Sequence, residues 1–192
     1  MRSVDEQYNR PSVSHYNPKA KLLVEGAYVP CIFFYGGTFS NFVGDPITVT
    51  SNQPWAGDSP VTAGYATVEH FFQASKAHIE SDHWTIAWAN SAGESKSFGN
   101  MRQSFADANQ PLLRQDWEAV KYDYMLLGVR AKFRQDEQFK RELLETGDIM
   151  IAEDSPTDFI WGIRDERGGF TGQNLLGKAL MEVRKELRDA ST

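Results

Sequence analysis

The stretch Glu69-His70-Phe71-Phe72-Gln73-Ala74-Ser75-Lys76 settles more about this chain than any other. Thr67 stands before it as an N-cap, because a hydroxyl there accepts a hydrogen bond from an otherwise unpaired amide of the first turn. The helix it opens is expected over residues 68–78. Steps of three, four and seven residues return to one side of a helix. Glu69, Phe72, Gln73 and Lys76 therefore share a face: a carboxylate, a ring, an amide and an amine. Three polar chemistries around one Phe make an unusual core face. At about 1.5 Å of rise per residue the two charges stand roughly 10 Å apart, too far for an ion pair but enough to span a ribose with a polar group at each end. A plainer account is electrostatic: Glu near a helix start and Lys near its end are both favoured by the macrodipole. The spacing leaves both accounts open.

Upstream, Ile32, Phe33 and Phe34 form a short apolar run and Ile47-Thr48-Val49 a β-branched one, both strand candidates. Residues 53–64 hold two Pro and two Gly and are expected as loop. Downstream, Leu113, Trp117, Val120, Tyr124, Leu127 and Ala131 draw one apolar stripe on a long helix with Asp116 as its cap. Phe139 and Leu143 mark another helix, which Gly147 is placed to end. Asn174 is placed to cap a last helix with the stripe Leu176, Leu180, Val183 and Leu187. Between these two, residues 155–172 carry four glycines and no helical period, a loop long enough to suggest function. The expectation is an α+β fold, predominantly helical, with a few short strands near the N-terminus. An N-terminal arm, residues 1–30, precedes a single compact domain, residues 31–192.

Composition narrows the functions. The chain has 192 residues, 41% hydrophobic and 24% charged, ordinary for a globular domain with a sizeable core. Net charge is −6, so strong nonspecific nucleic-acid binding is not expected, since phosphate affinity comes from Lys and Arg. Cys31 is the only cysteine, which excludes an intrachain disulfide and a cysteine metal cluster, and it reads as a small buried apolar residue. The histidines show no metal-ligand spacing with carboxylates, and His70 points away from the Glu69 face. No metal and no organic cofactor is expected. The polar start lacks a signal-like apolar core, no membrane-length apolar run follows, and a cytoplasmic setting is expected.

The resemblance to a family rests on several motifs in order. Phe39-Ser40-Asn41-Phe42 and Glu69-His70-Phe71-Phe72-Gln73-Ala74-Ser75-Lys76-Ala77 come first. Ala92-Gly93-Glu94-Ser95-Lys96-Ser97-Phe98-Gly99 follows, then Arg114-Gln115-Asp116-Trp117 with Met125 and Lys132-Phe133. Asp158-Phe159-Ile160-Trp161-Gly162 and Gly172-Gln173-Asn174-Leu175-Leu176-Gly177-Lys178, with Arg184, complete the set. Over about residues 33–189 the chain resembles the NADAR (YbiA-like) family of N-glycosidases. That resemblance implies hydrolysis of ribose–base bonds. The substrate would be a phosphorylated ribosylaminopyrimidine intermediate of riboflavin synthesis, or a guanine base carrying ADP-ribose. It also implies Glu69, Lys76 and Asp158 as catalytic residues. Asn41, Phe42, Trp117, Trp161, Gly162 and Asn174 would be substrate contacts. The arm before Phe33 and the stretch from Trp55 to Glu69 are longer than the family pattern.

Cleaving a ribose–base bond builds positive charge at C1′ and leaves electron density on the departing base. Glu69 and Asp158 are the carboxylates for that work, one at the sugar carbon or a water, the other on a ribose hydroxyl. Burial beside Phe72 and Trp161 would raise the acid's pKa. Lys76 has two possible roles: a neutral amine attacking an opened ribose to give a Schiff base, or an ammonium beside phosphate. Trp117 fits core packing and base stacking equally, whereas Trp161, in the glycine-bearing loop, is the better stacking candidate. The partner is a nucleotide-like small molecule or ADP-ribosylated guanine. The rival class is a module that binds ADP-ribose or a nucleotide without turnover; it would not need Glu69.

Overall fold

The computed structural model describes residues 21–25, 27–166 and 169–190. Residues 1–20 of the expected arm lie outside the described residues. The chain forms two compact units: the first takes residues up to Val43 and from Asp136 onward, and the second, Gly44–Gln135, is inserted between those two segments.

In the first unit, β1 (Lys21–Val24) pairs antiparallel with the start of β2 (Ala27–Phe34). The later half of β2, Cys31 to Phe34, pairs in parallel with β5 (Met150–Glu153). The apolar run at 32–34 thus lies in the half paired with β5, in a longer strand whose first half comes from the stretch expected as arm. Cys31, Ala152 and Ile163 form a buried cluster, with Val24, Val29, Phe33, Met150 and Phe170 packed against it. Helix α5 (Glu137–Glu145) is capped by Asp136, whose carboxylate accepts from the Gln138 and Phe139 amides at 2.8 and 2.9 Å. Gly147, at φ +57°, follows its end as expected. Helix α6 (Leu175–Asp189) buries Leu176, Leu180, Val183 and Leu187, the stripe read from the sequence, and packs on β5.

Residues 155–172 are not all loop. They include β6 (Ile163–Glu166) and β7 (Gly169–Gly172), an antiparallel pair that sets Ile163 opposite Gly172. Three charged residues in a row, Arg164, Asp165 and Glu166, hide the alternation that would have revealed the strand.

In the second unit, β3 (Ile47–Ser51) alternates buried and exposed and pairs with β4 (Val61–Tyr65). β4 corrects the expected loop over 53–64: Val61, Thr62 and Tyr65 favour strand, and only residues 52–60 turn. Helix α1 (Val68–Ala74) begins at the Thr67 cap, whose hydroxyl accepts from the His70 amide. It ends at Ala74 rather than His78. Ser75 turns its hydroxyl back to the Phe71 carbonyl at 2.8 Å, and the next residues pair with a distant strand-like segment. The Arg114 amide donates to the Lys76 carbonyl, and the His78 amide to the Leu112 carbonyl, each at 2.7 Å. A helix cannot continue through residues whose backbone is engaged elsewhere.

Helix α2 (Glu80–Ala87) has no apolar period to announce it. Helix α3 (Ala92–Gly99) has Ser91 as cap, accepting from the Glu94 amide at 3.1 Å, while Glu94 reaches back to the Asn90 amide at 2.6 Å. Helix α4 (Trp117–Gln135) packs against both β3 and α1. Its buried sector is therefore wider than one stripe: Met125, Val129 and Phe133 join Trp117, Tyr124 and Ala131, while Val120 and Leu127 are only half-buried. Leu113 lies outside the helix and is exposed. Asp116 precedes the helix, but its carboxylate pairs with Arg114 at 2.6 Å instead of capping. His83 is fully buried between the Ala74 carbonyl at Nδ1 and the Tyr65 hydroxyl at Nε2, each 2.9 Å away. Burial pushes its imidazole down to about 4.

Candidate functional site

The second unit gathers Glu69, Lys76 and Trp117. Glu69 is buried in the first turn of α1, and its Oε1 accepts from Gln73 Nε2 at 2.7 Å. The four residues expected on one face are thus split. Glu69, Phe72 and Gln73 share the helix, while Lys76 leaves it in the following turn. There the amine donates to Asn100 Oδ1 at 3.1 Å and stands 5.6 Å from the Phe72 ring centre and 5.9 Å from that of Trp117. The two rings lie 5.0 Å apart, so Trp117, 5% exposed, is packed and yet borders the amine. Trp117 is core packing on one edge and borders the cavity on another.

Beside the amine is a cavity of about 430 Å³ lined by Lys76, Gly99, Asn100, Met101, Arg102, Leu113 and Trp117. Its wall carries two cations and no carboxylate. Glu69 is not part of that wall. Sequence reasoning missed Asn100 and Arg102. The only signal for them was their place directly after the Ala92–Gly99 motif. The backbone bridge of Ala77 to Leu113 draws Leu113 and Trp117 to the amine, and it links residues far apart in sequence.

His70 is structural, as its direction on the helix suggested. Its ring bonds the Thr67 hydroxyl at 2.9 Å and the Ala89 carbonyl at 3.3 Å, and burial lowers its pKa.

The first unit holds the other expected residues. Asn41 is buried and Phe42 half-buried in the turn after a short 3-10 segment, Gly37–Phe39. Asp158 Oδ1 accepts from the Ile160 amide at 3.0 Å and the Trp161 amide at 2.9 Å, so its carboxylate shapes the loop that carries Trp161. Gly162 is required by the protein's own backbone: a Cβ there would stand 2.7 Å from Ser155 Cβ and 2.8 Å from the Glu153 carbonyl oxygen. Asn174 begins α6 in a left-handed conformation, φ +53°, and makes no side-chain cap. Instead its buried amide serves β5, donating to the Ile151 carbonyl at 2.9 Å and accepting from the Glu153 amide at 3.4 Å.

This arrangement, with its motifs, has counterparts. The model of the NADAR domain matches residues 33–188. The N-glycosidase Npun_R5314 of Nostoc punctiforme is 32% identical over 163 residues, covering 82% of this chain and 93% of that one. The solution NMR structure of the Escherichia coli protein YbiA superposes with a TM-score of 0.64 at 32% identity, covering 84% of this chain and 86% of that one. The riboflavin biosynthesis protein PYRR of Zea mays is 32% identical over 159 residues, which span 79% of this chain and 23% of that longer one. These likenesses define the class, the N-glycosidases. The chain belongs to the NADAR, YbiA-like family of N-glycosidases.

Proposed function

We propose that this protein hydrolyses the bond between a ribose and a nitrogen base in a phosphorylated substrate. The observation that carries the proposal is the cavity beside Lys76, walled by two cations, an amide and the Trp117 ring, with no carboxylate. In a chain of net charge −6, a hollow lined that way suits an anion attached to a flat ring. A phosphorylated ribosylaminopyrimidine and an ADP-ribosylated guanine both have that chemistry. The names of the Nostoc and maize relatives support the bond type and, for the maize protein, the riboflavin connection.

Glu69 supplies the negative charge that the oxocarbenium-like C1′ needs, or draws a proton from the attacking water. Lys76 acts as an ammonium. The faces of Phe72 and Trp117 beside it suit a cation. It therefore donates hydrogen bonds to the departing base or to phosphate. Borohydride added during turnover should leave no adduct on Lys76; a reduced adduct there would establish the Schiff-base route instead.

A second account is favoured by one observation: Glu69 does not line the cavity. A module that binds ADP-ribose or a nucleotide without turnover would look like this too. Incubation with each of the two substrates, following free base by chromatography, separates the accounts. Release by wild type and its loss in Glu69→Gln support the hydrolase. Binding of both without release by wild type supports the module.

A further inference from the structure

Glu69 is held by a neighbour whose own position is fixed from outside the helix. Gln73, 3% exposed, donates Nε2–H to Glu69 Oε1 at 2.7 Å. Only the nitrogen end of an amide suits a carboxylate, since its oxygen would be repelled. The oxygen end is thereby turned away. Gln73 Oε1 is buried and finds no hydrogen-bond partner among the described residues. It lies against Gly99, the last residue of α3, where a Cβ would stand 2.3 Å from that oxygen and 2.8 Å from Gln73 Cβ.

A buried amide with one end unpaired costs stability. Packing alone gives no reason for it, because Met or Leu would fill the same space without the cost. The arrangement makes sense if the donated hydrogen bond is what the position is for. Proteins accept such local costs at reacting groups.

We propose that Gln73 is a positioning residue for the reaction, fixing the Glu69 side chain, and that Gly99 acts through Gln73 by leaving room for the amide. The amide holds the Glu69 carboxyl group in one place, where it can stabilise positive charge at C1′ or accept a proton from water. This rests on the N-glycosidase activity proposed above.

The test uses whichever substrate wild type hydrolyses, with kcat, KM and thermal midpoint measured for Gln73→Met and Gly99→Ala. Met keeps the volume of Gln and removes both amide ends. The expected result is a kcat lower by roughly tenfold to a hundredfold, with KM within about twofold and a thermal midpoint equal to or above wild type. A residue there only for packing would not separate kcat from stability in that direction. Gly99→Ala pushes the amide from Glu69 and should lower kcat as well; in the Gln73→Met background it should add little further loss, the non-additivity expected of groups acting in series. A folded Gln73→Met with kcat near wild type overturns the proposal. So does a Gln73→Met that fails to fold, since the amide would then be structural. Wild type that releases no base overturns the glycosidase activity itself, whereas an active wild type with an indifferent Gln73→Met overturns only the role of Gln73.

Discussion

The two units use the same kinds of side chain in opposite ways. In the second unit, the polar groups of the candidate site bond to one another: Gln73 to Glu69, Lys76 to Asn100. In the first unit, the motif residues bond to backbone: Asp158 to the Ile160 and Trp161 amides, Asn174 to the Ile151 carbonyl and the Glu153 amide of β5. A side chain that satisfies backbone holds a fold, because the backbone group would otherwise be left unpaired. A side chain held by another side chain can be oriented toward a ligand. Both kinds sit in strong family motifs, so motif strength does not separate architecture from chemistry.

The sharpest test of this contrast is Glu69→Gln. It should cut kcat by roughly a hundredfold to ten-thousandfold, with a thermal midpoint within about 2 °C of wild type. A large fall in stability with activity retained would make Glu69 architectural and break the contrast.

Next in size is an effect of pH on the second unit's own architecture. His83 sits near 4 in the folded chain, against 6.5 for a free imidazole, because burial disfavours its charge. As pH falls, the unfolded chain takes up this proton before the folded one does. The stability present above pH 6.5 is therefore lost progressively toward pH 4, by about 3 kcal/mol at most from this group. Burial lowers His70 as well, adding loss of the same sign. Urea melts at a series of pH values should show that slope, and His83→Asn should flatten it. A slope unchanged by that substitution would place the titrating groups elsewhere.

Asn174→Ala should cost about 1–3 kcal/mol, because it strands the Ile151 carbonyl and the Glu153 amide. kcat/KM on the same substrate should stay within about threefold of wild type. A collapse of kcat/KM in a stable variant would return Asn174 to the ligand contacts the family resemblance implies. The smallest effect is Asp158→Ala, about 1 kcal/mol for a lost loop-shaping acceptor, with a red shift in fluorescence as Trp161 loosens. A thousandfold loss of kcat with unchanged fluorescence would instead make Asp158 a reacting group.

Much of the local structure was legible in the residues. Thr67 announced the start of α1, the 139 and 143 pair with Gly147 bounded α5, and the four-residue stripe of α6 was read in full. Each follows from contacts a few residues apart, which sequence spacing encodes directly. β4 and the β6–β7 pair were not legible. Their strands are four or five residues long, and charge or glycine masks their alternation; only a partner strand makes them strands.

The sequence by itself determined the family, the presence of α1, α4, α5 and α6 in that order, and the presence of Glu69, Gln73 and Lys76 in one short segment, because these depend on residue type and nearby spacing. Tertiary structure alone decided where α1 stops, since that requires the 112–114 backbone to pair with residues 76–78. It decided that Asn100 and Arg102 share a cavity wall with Lys76, and that Asp158 and Asn174 are bound to backbone. A side chain's hydrogen-bond partner is fixed by what the fold places beside it, and for these residues that neighbour comes from elsewhere in the fold or is set by the way the backbone turns.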